Sequence, residues 1–355
     1  MKNQSVLPNI DTQYLINFLT NLLQTPSPTG FANAAIELVE QEAAKFPELR
    51  IERTKKGSLL LTLPGQKPSS TGPKRALTAH VDTLGAMVRL IKPSGRLELT
   101  EVGGFAWGSV EGENCLVHTR RKGTFRGSLL PHQASVHVYE NVRDGKRDNN
   151  TVEVRLDERV ISAEETRELG IEVGDFVSFD ARVEVVNGFV KSRHLDDKAC
   201  VACIMAVIKS LHEANLKPAV DTCFLISNFE EVGHGGSSDF PEGLEELVAL
   251  DMAAIGDGQA SDEYHASICV KDASGPYHHE LSNKLRDLAK ACDIPVNVDI
   301  YVHYSSDAKA YWRAGGSAAV ALIGPGVDSS HHYERTHTDA LADTTKWALA
   351  YLLNE

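Results

Sequence analysis

Residues 224–236 of this chain read Phe-Leu-Ile-Ser-Asn-Phe-Glu-Glu-Val-Gly-His-Gly-Gly. An apolar, β-favouring run beginning at Cys223 thus delivers two adjacent acids, Glu230 and Glu231, ahead of a glycine-rich turn. Apolar strands that end in charge before glycines are how an open α/β sheet carries a reactive site, at the carboxyl ends of its strands. An isolated Glu-Glu pair reads first as a solvated acidic turn. The pattern recurs, however: residues 75–82 run from Arg75 through an apolar stretch to His80-Val81-Asp82, and residues 247–251 end in Asp251. Three strands ending in acid constrain the fold to α/β.

Around these strands the chain alternates helix and strand. Helical spacing is expected from residue 12 to 46, broken by Pro26-Ser-Pro-Thr-Gly30, then a strand at 59–63 and a Pro/Ser/Gly turn at 67–73. A helix follows Asp196-Asp197, with Val201, Ile204, Met205, Val207, Ile208 and Leu211 forming a broad apolar face. Further helices are expected at 279–292 and 341–353, with an apolar strand at 318–323. From about 90 to 190 the character changes. Short alternating segments at 96–100, 115–119, 135–139, 152–156, 176–179 and 183–186 are separated by Gly, Asn and Asp turns, with one short helix at 163–169. That is the pattern of a small β-barrel or sandwich inserted into the α/β domain, with the charged tract 141–150 as an exposed loop.

The 355 residues suffice for two domains, and the formal charge of −13 argues against nucleic acid and against anionic membranes as partners. No apolar run approaches the roughly 20 residues that span a bilayer. The first residues carry no apolar signal core, so the expected location is cytoplasmic. Six cysteines are scattered in apolar context, and the lone pair Cys200 and Cys203 has no second pair to complete a zinc site, so packing is their expected role.

His80, Asp196, Glu231, Asp251 and one histidine of the 331–337 stretch make a set of two imidazoles and three carboxylates. Such donors without thiolate suit Zn, Co or Mn. Asp82 shares a strand face with His80, where its carboxylate can take the imidazole N–H. Asp196 and Asp197 open a helix, where one acid can cap and the other face a metal. Glu230 is then free to act as general base.

The ordered series His-x-Asp, Leu-Asp-Asp-Lys, Glu-Glu-Val-Gly, Leu-Asp and a late His resembles the di-metal aminopeptidases of the TET type, the glutamyl and deblocking aminopeptidases once mislabelled endoglucanases. The likeness covers nearly the whole chain, including the tract from Ile161 to Asp175 at the exit of the inserted domain. It implies a mixed-sheet α/β/α metallopeptidase domain formed by residues 1–90 plus 190–355, and a small β-barrel of residues 91–189 serving in dimer contacts and as a lid. It implies two divalent ions per subunit, Zn first, then Co or Mn. His80 would bind one ion with Asp82 orienting it, Asp196 would bridge both, and Asp251 would complete the His80 side. Glu231 and His337 would hold the second ion, with Glu230 as general base. Small peptides would be the substrates, and a homo-oligomer, from dimer to tetrahedral dodecamer, the working form. A related deacylase or carboxypeptidase, or a scaffold without turnover, are the alternatives. The chain departs from the family's usual runs at His337-Thr-Asp, where His-Ser-Pro is expected, and at His234-Gly-Gly, where Leu-Arg-Gly is expected. Residues 304–307, Tyr-Ser-Ser-Asp, are candidates for the pocket lining, and His234 for a surface loop.

Overall fold

A computed structural model describes residues 7–354. Its larger unit is built on a ten-stranded mixed sheet. Thr222–Ser227, Arg75–His80, Glu246–Leu250 and Ala319–Val327 run side by side and parallel at its centre. Arg50–Arg53 and Leu59–Leu63 extend one edge; Ala266–Asp272, Gly275–Pro276 and Val296–Ile300 extend the other. Every residue of Arg75–His80 and of Thr222–Ser227 is buried, as expected for parallel strands covered on both faces.

Strand alternation divides the core. Leu77, Ala79, Phe224, Ile226, Val248 and Leu250 join a cluster with Leu15, Leu19, Ile204, Trp347 and Tyr351 from helices Thr12–Gln24, Leu195–Glu213 and Thr338–Leu353. Their neighbours Ala76, Cys223, Leu247 and Ala249 face the other way, onto Tyr277, Tyr301 and the short helix Asp307–Arg313. The result is the three-layer α/β/α arrangement expected from the sequence. All six cysteines are free, with Cys200 and Cys203 wholly buried in the first cluster. Among the described residues no helix is long and apolar enough to cross a membrane.

The second unit is a closed six-stranded antiparallel barrel: Gly85–Ile91, Leu97–Val102, Val152–Leu156, Gly123–Pro131, Asn114–Thr119 and Phe176–Phe179 in order around it. Val88, Leu97, Leu99, Val117, Leu129, Val154 and Val177 give it a core of its own. Its first strand starts ahead of residue 91, immediately beyond the loop after His80. Glu184–Val186 and Phe189–Ser192 instead form a small sheet with Glu334–His337. The alternating residues 135–139 are not a strand. Val136 and Val138 are exposed in the loop between Gly123–Pro131 and Val152–Leu156, because those two strands pair directly and leave no edge for a third.

Candidate metal centre

Because Thr222–Ser227, Arg75–His80 and Glu246–Leu250 are parallel neighbours, their carboxyl ends meet on one side of the sheet, bringing His80, Glu230, Glu231 and Asp251 together. Two close approaches set the turns there. A Cβ on Gly324 would lie 1.8 Å from the Asp251 carbonyl oxygen, and one on Gly236 would lie 2.6 Å from that of Asp307. The helix Leu195–Glu213 points its start at the same spot, where Asp196 and Asp197 have non-helical backbone and are buried.

His80 Nδ1 lies 2.8 Å from the main-chain oxygen of Asp82. A carbonyl only accepts, so Nδ1 carries a proton, and in the neutral ring Nε2 holds the lone pair. The orienting partner is thus the Asp82 main chain, not its carboxylate as expected. That carboxylate accepts instead from Thr29 Oγ1 at 2.6 Å and from the backbone N–H groups of Glu230 and Glu231 at 3.2 and 3.4 Å. Asp82 therefore holds the Glu pair in place as well as the histidine.

His80 Nε2 faces Asp196 Oδ1 at 3.1 Å, with Glu230 Oε2 at 3.8 Å. The other oxygen of Asp196, Oδ2, lies 3.4 Å from Nε2 of His331, which is also 3.5 Å from Glu231 Oε2. His331 is locked like His80, its Nδ1 donating to the Gly104 carbonyl at 2.5 Å. Glu334 ties the two sides together, accepting from the N–H of Asp196 and that of His331, each at 3.1 Å. One carboxylate thus presents an oxygen to each of two imidazoles.

His337 is not brought to this cluster, and the expectation that it joins is corrected. Its ring packs against Phe189 and Tyr264, and its Nδ1 accepts from Asp339 N–H as the cap of the last helix. The place falls to His331, a histidine of the 331–337 stretch that the sequence left open beside His337. A usable signal was Glu334, an acid three residues beyond His331 in an otherwise polar turn. Asp197, which the sequence offers as the capping or metal-facing partner of Asp196, is fully buried, accepts from the main-chain N–H of His80 at 3.2 Å, and groups with His80 and Asp251 as a candidate cation-binding set. His80, Asp196 and Glu231 form another such set. His234 stacks on Phe229 outside the cluster.

The electrostatics are those of too many acids for the cations present. Burial, then the charge of Asp196, pushes Asp251 up to about 8 and Glu231 well above the usual carboxylate range. Burial, then the charge of Asp251, raises Asp197, and burial raises Glu230 despite His80. The histidines are raised as well, for the opposite reason. Burial opposes their protonation, but Asp196 and neighbouring acids outweigh it, raising His80 and taking His331 to about 10. Glu231 Oε1 and Asp197 Oδ1 are buried without a hydrogen-bond partner. Orphaned acid oxygens beside imidazoles whose Nε2 can give up its proton to a metal fit a site for divalent cations. The cluster floors a cavity of about 580 Å³, walled by segments around Met252 and Tyr304. Tyr304 and Ser305 line it as expected; Ser306 and Asp307 are buried behind, bonded to Tyr277 and to Gly236.

The family model of the M42 glutamyl aminopeptidases matches residues 57–347. The chain belongs to this family. Among curated relatives of this M42 peptidase is YhfE of Bacillus subtilis (strain 168), whose name carries aminopeptidase as a provisional assignment. It is 47% identical over 340 residues, covering 95% of this chain and 96% of YhfE. The lysyl aminopeptidase of Pyrococcus furiosus is 23% identical over 295 residues, covering 79% of this chain and 80% of that protein. Among solved structures the Pyrococcus horikoshii TET1 peptidase, which can assemble into a tetrahedron or a large octahedral shell, superposes with a TM-score of 0.84 at 21% identity. That match covers 96% of this chain and all of the other. This M42 chain is therefore a peptidase, a hydrolase, with the TET aminopeptidase fold.

Proposed function

We propose that the chain is a metal-dependent aminopeptidase that removes N-terminal residues from small peptides, using two divalent ions and Glu230 as general base. The observation that carries this reading is Asp196, whose two oxygens face His80 Nε2 at 3.1 Å and His331 Nε2 at 3.4 Å. His80, Asp196 and Asp251 would hold one ion; Asp196, Glu231 and His331 the other. Bound there, zinc (or cobalt or manganese) would supply Lewis acidity for a water and for the scissile carbonyl. Glu230 lies close to His80 but is not needed as a ligand, and burial raises its pKa, the direction that makes a carboxylate a stronger base. It would take a proton from the attacking water and return it to the leaving amine. The surplus of acids would draw the free α-ammonium of the substrate, which confines cleavage to chain ends.

The barrel would wall the chamber: its Gly104 carbonyl already holds His331. The chain would assemble as a dimer or a larger shell, the barrel contributing contacts; the tetrahedral and octahedral shells of the TET1 peptidase support a homo-oligomer. The six free cysteines suit a reducing cytoplasm. The test is metal content and aminoacyl-p-nitroanilide turnover of one preparation, beside Glu230→Gln. We expect about two ions per chain in both proteins and a loss of turnover in the variant of at least about 100-fold. A variant that keeps its turnover would remove Glu230 from the mechanism, and a wild type that binds no divalent metal would remove the reading itself.

A further inference from the structure

We infer that the wall of this cavity selects neutral, apolar N-terminal side chains, leucine and methionine above all, and disfavours both glutamate and lysine. The inference rests on the aminopeptidase reading above and names its substrate class. Once the α-amine and the scissile carbonyl are held at the acidic floor, the N-terminal side chain must enter the remaining space, bounded by Met252, Ala254, Gln259, Val302 and the rings of Tyr301 and Tyr304. The tyrosines pack on each other with centroids 5.3 Å apart, and Met252, 3% exposed, offers a thioether that adapts to aliphatic shapes.

Neither charge is provided for. Among the described residues no lysine or arginine lines the cavity, and the one basic side chain outside the cluster is His303, exposed at the rim. The cations on the helix behind the wall are engaged. Arg313 donates to Ser305 Oγ at 2.9 Å and to the Lys309 carbonyl at 3.3 Å; Lys309 donates to the Gly275 and Pro276 carbonyls at 3.1 and 2.7 Å. A glutamyl carboxylate would therefore be desolvated without a partner, close to five acids. A lysyl ammonium would need an acid at the far end of the pocket. Asp299 is the acid beside the wall, and its oxygens are already filled: Oδ2 accepts from the Ala260 and Ser261 N–H groups and from Ser261 Oγ, Oδ1 from the Ile300 N–H. Gln259 donates its amide nitrogen to the Ile300 carbonyl at 2.8 Å and to Asp299 Oδ1 at 3.4 Å, and brings no charge to pair with an ammonium.

The experiment compares leucyl, methionyl, glutamyl and lysyl p-nitroanilides on the metal-loaded full chain, with metal content measured alongside, and repeats the panel on Val302→Arg. Val302 is 63% exposed, so the variant tests the wall without disturbing the core. For the wild type we expect kcat/KM for leucyl and methionyl substrates at least about tenfold above the glutamyl and lysyl ones. In Val302→Arg the glutamyl-to-leucyl ratio should rise about tenfold, since the new guanidinium supplies the missing partner. A wild-type maximum on the glutamyl or lysyl substrate, or a variant whose ratio does not move, overturns the pocket assignment while leaving the aminopeptidase intact. Metal-loaded protein inert to all four substrates overturns the aminopeptidase reading, and this inference with it.

Discussion

Two glutamates show how differently the barrel and the sheet treat buried charge. Glu153 in the barrel and Glu231 at the sheet's carboxyl ends have side chains that are 3% and 4% exposed. Glu153 accepts from Lys92 at 2.9 Å and Arg96 at 2.5 Å; burial pushes its pKa up, but these two partners outweigh it and the net shift is downward. Glu231 has its Oε2 near His331 and its Oε1 without a partner, and its pKa is driven well up. Glu153 is electrostatically complete within the barrel. The sheet's acid cluster is not, which fits the divalent cations proposed for it.

The sharpest way to break this contrast is at the two histidines. His331→Ala should lower kcat/KM by at least about 100-fold and reduce bound metal. His337→Ala should cost only about 1 kcal/mol of stability as a lost helix cap, with turnover nearly unchanged. Equal catalytic damage from both would mean the cluster extends further than His331.

Next in size is a reversal of sign. In chelator-treated protein Glu153→Gln should lower the free energy of unfolding by about 1–2 kcal/mol, a figure already reduced for the solvent screening of the exposed Arg96. Glu231→Gln should raise it, by up to about 1 kcal/mol, because it removes an acid from a crowded site. Divalent metal at about 100 times its Kd should add about 2.7 kcal/mol to the wild type and less to Glu231→Gln. Denaturant titrations with and without metal read all of these, and shifts of the same sign would end the comparison.

The smallest effect sits in the barrel. Burial lowers the pKa of His118, whose Nε2 is 2.7 Å from Ser178 Oγ. A depressed folded-state value means that this group's contribution is present above its unfolded pKa of about 6.5 and lost as pH falls through the folded value. Tm measured from pH 7.5 to pH 5 should therefore fall less steeply in His118→Gln than in wild type. Parallel profiles would show that His118 does not set the acid limb.

Much of this molecule was legible in its residues. Apolar strands ending in Asp82, Glu230 and Asp251 foretold a sheet with a reactive edge, and the alternation within residues 97–179 foretold a separate β unit, because strand burial imposes its period directly on the sequence. The exposed alternation at 135–139 misled, since periodicity says that a segment can be a strand but not whether a partner awaits it.

What the tertiary structure alone decided is which histidine joins the acid cluster and what holds each ring. His331 is placed by Gly104, distant in the chain and contributed by the barrel side, and by Glu334, which also binds Asp196. His337, six residues on, begins a helix instead. Local pattern determines where acids and histidines stand along their own elements. Which lone pairs converge depends on hydrogen bonds between elements that meet only after the chain has folded.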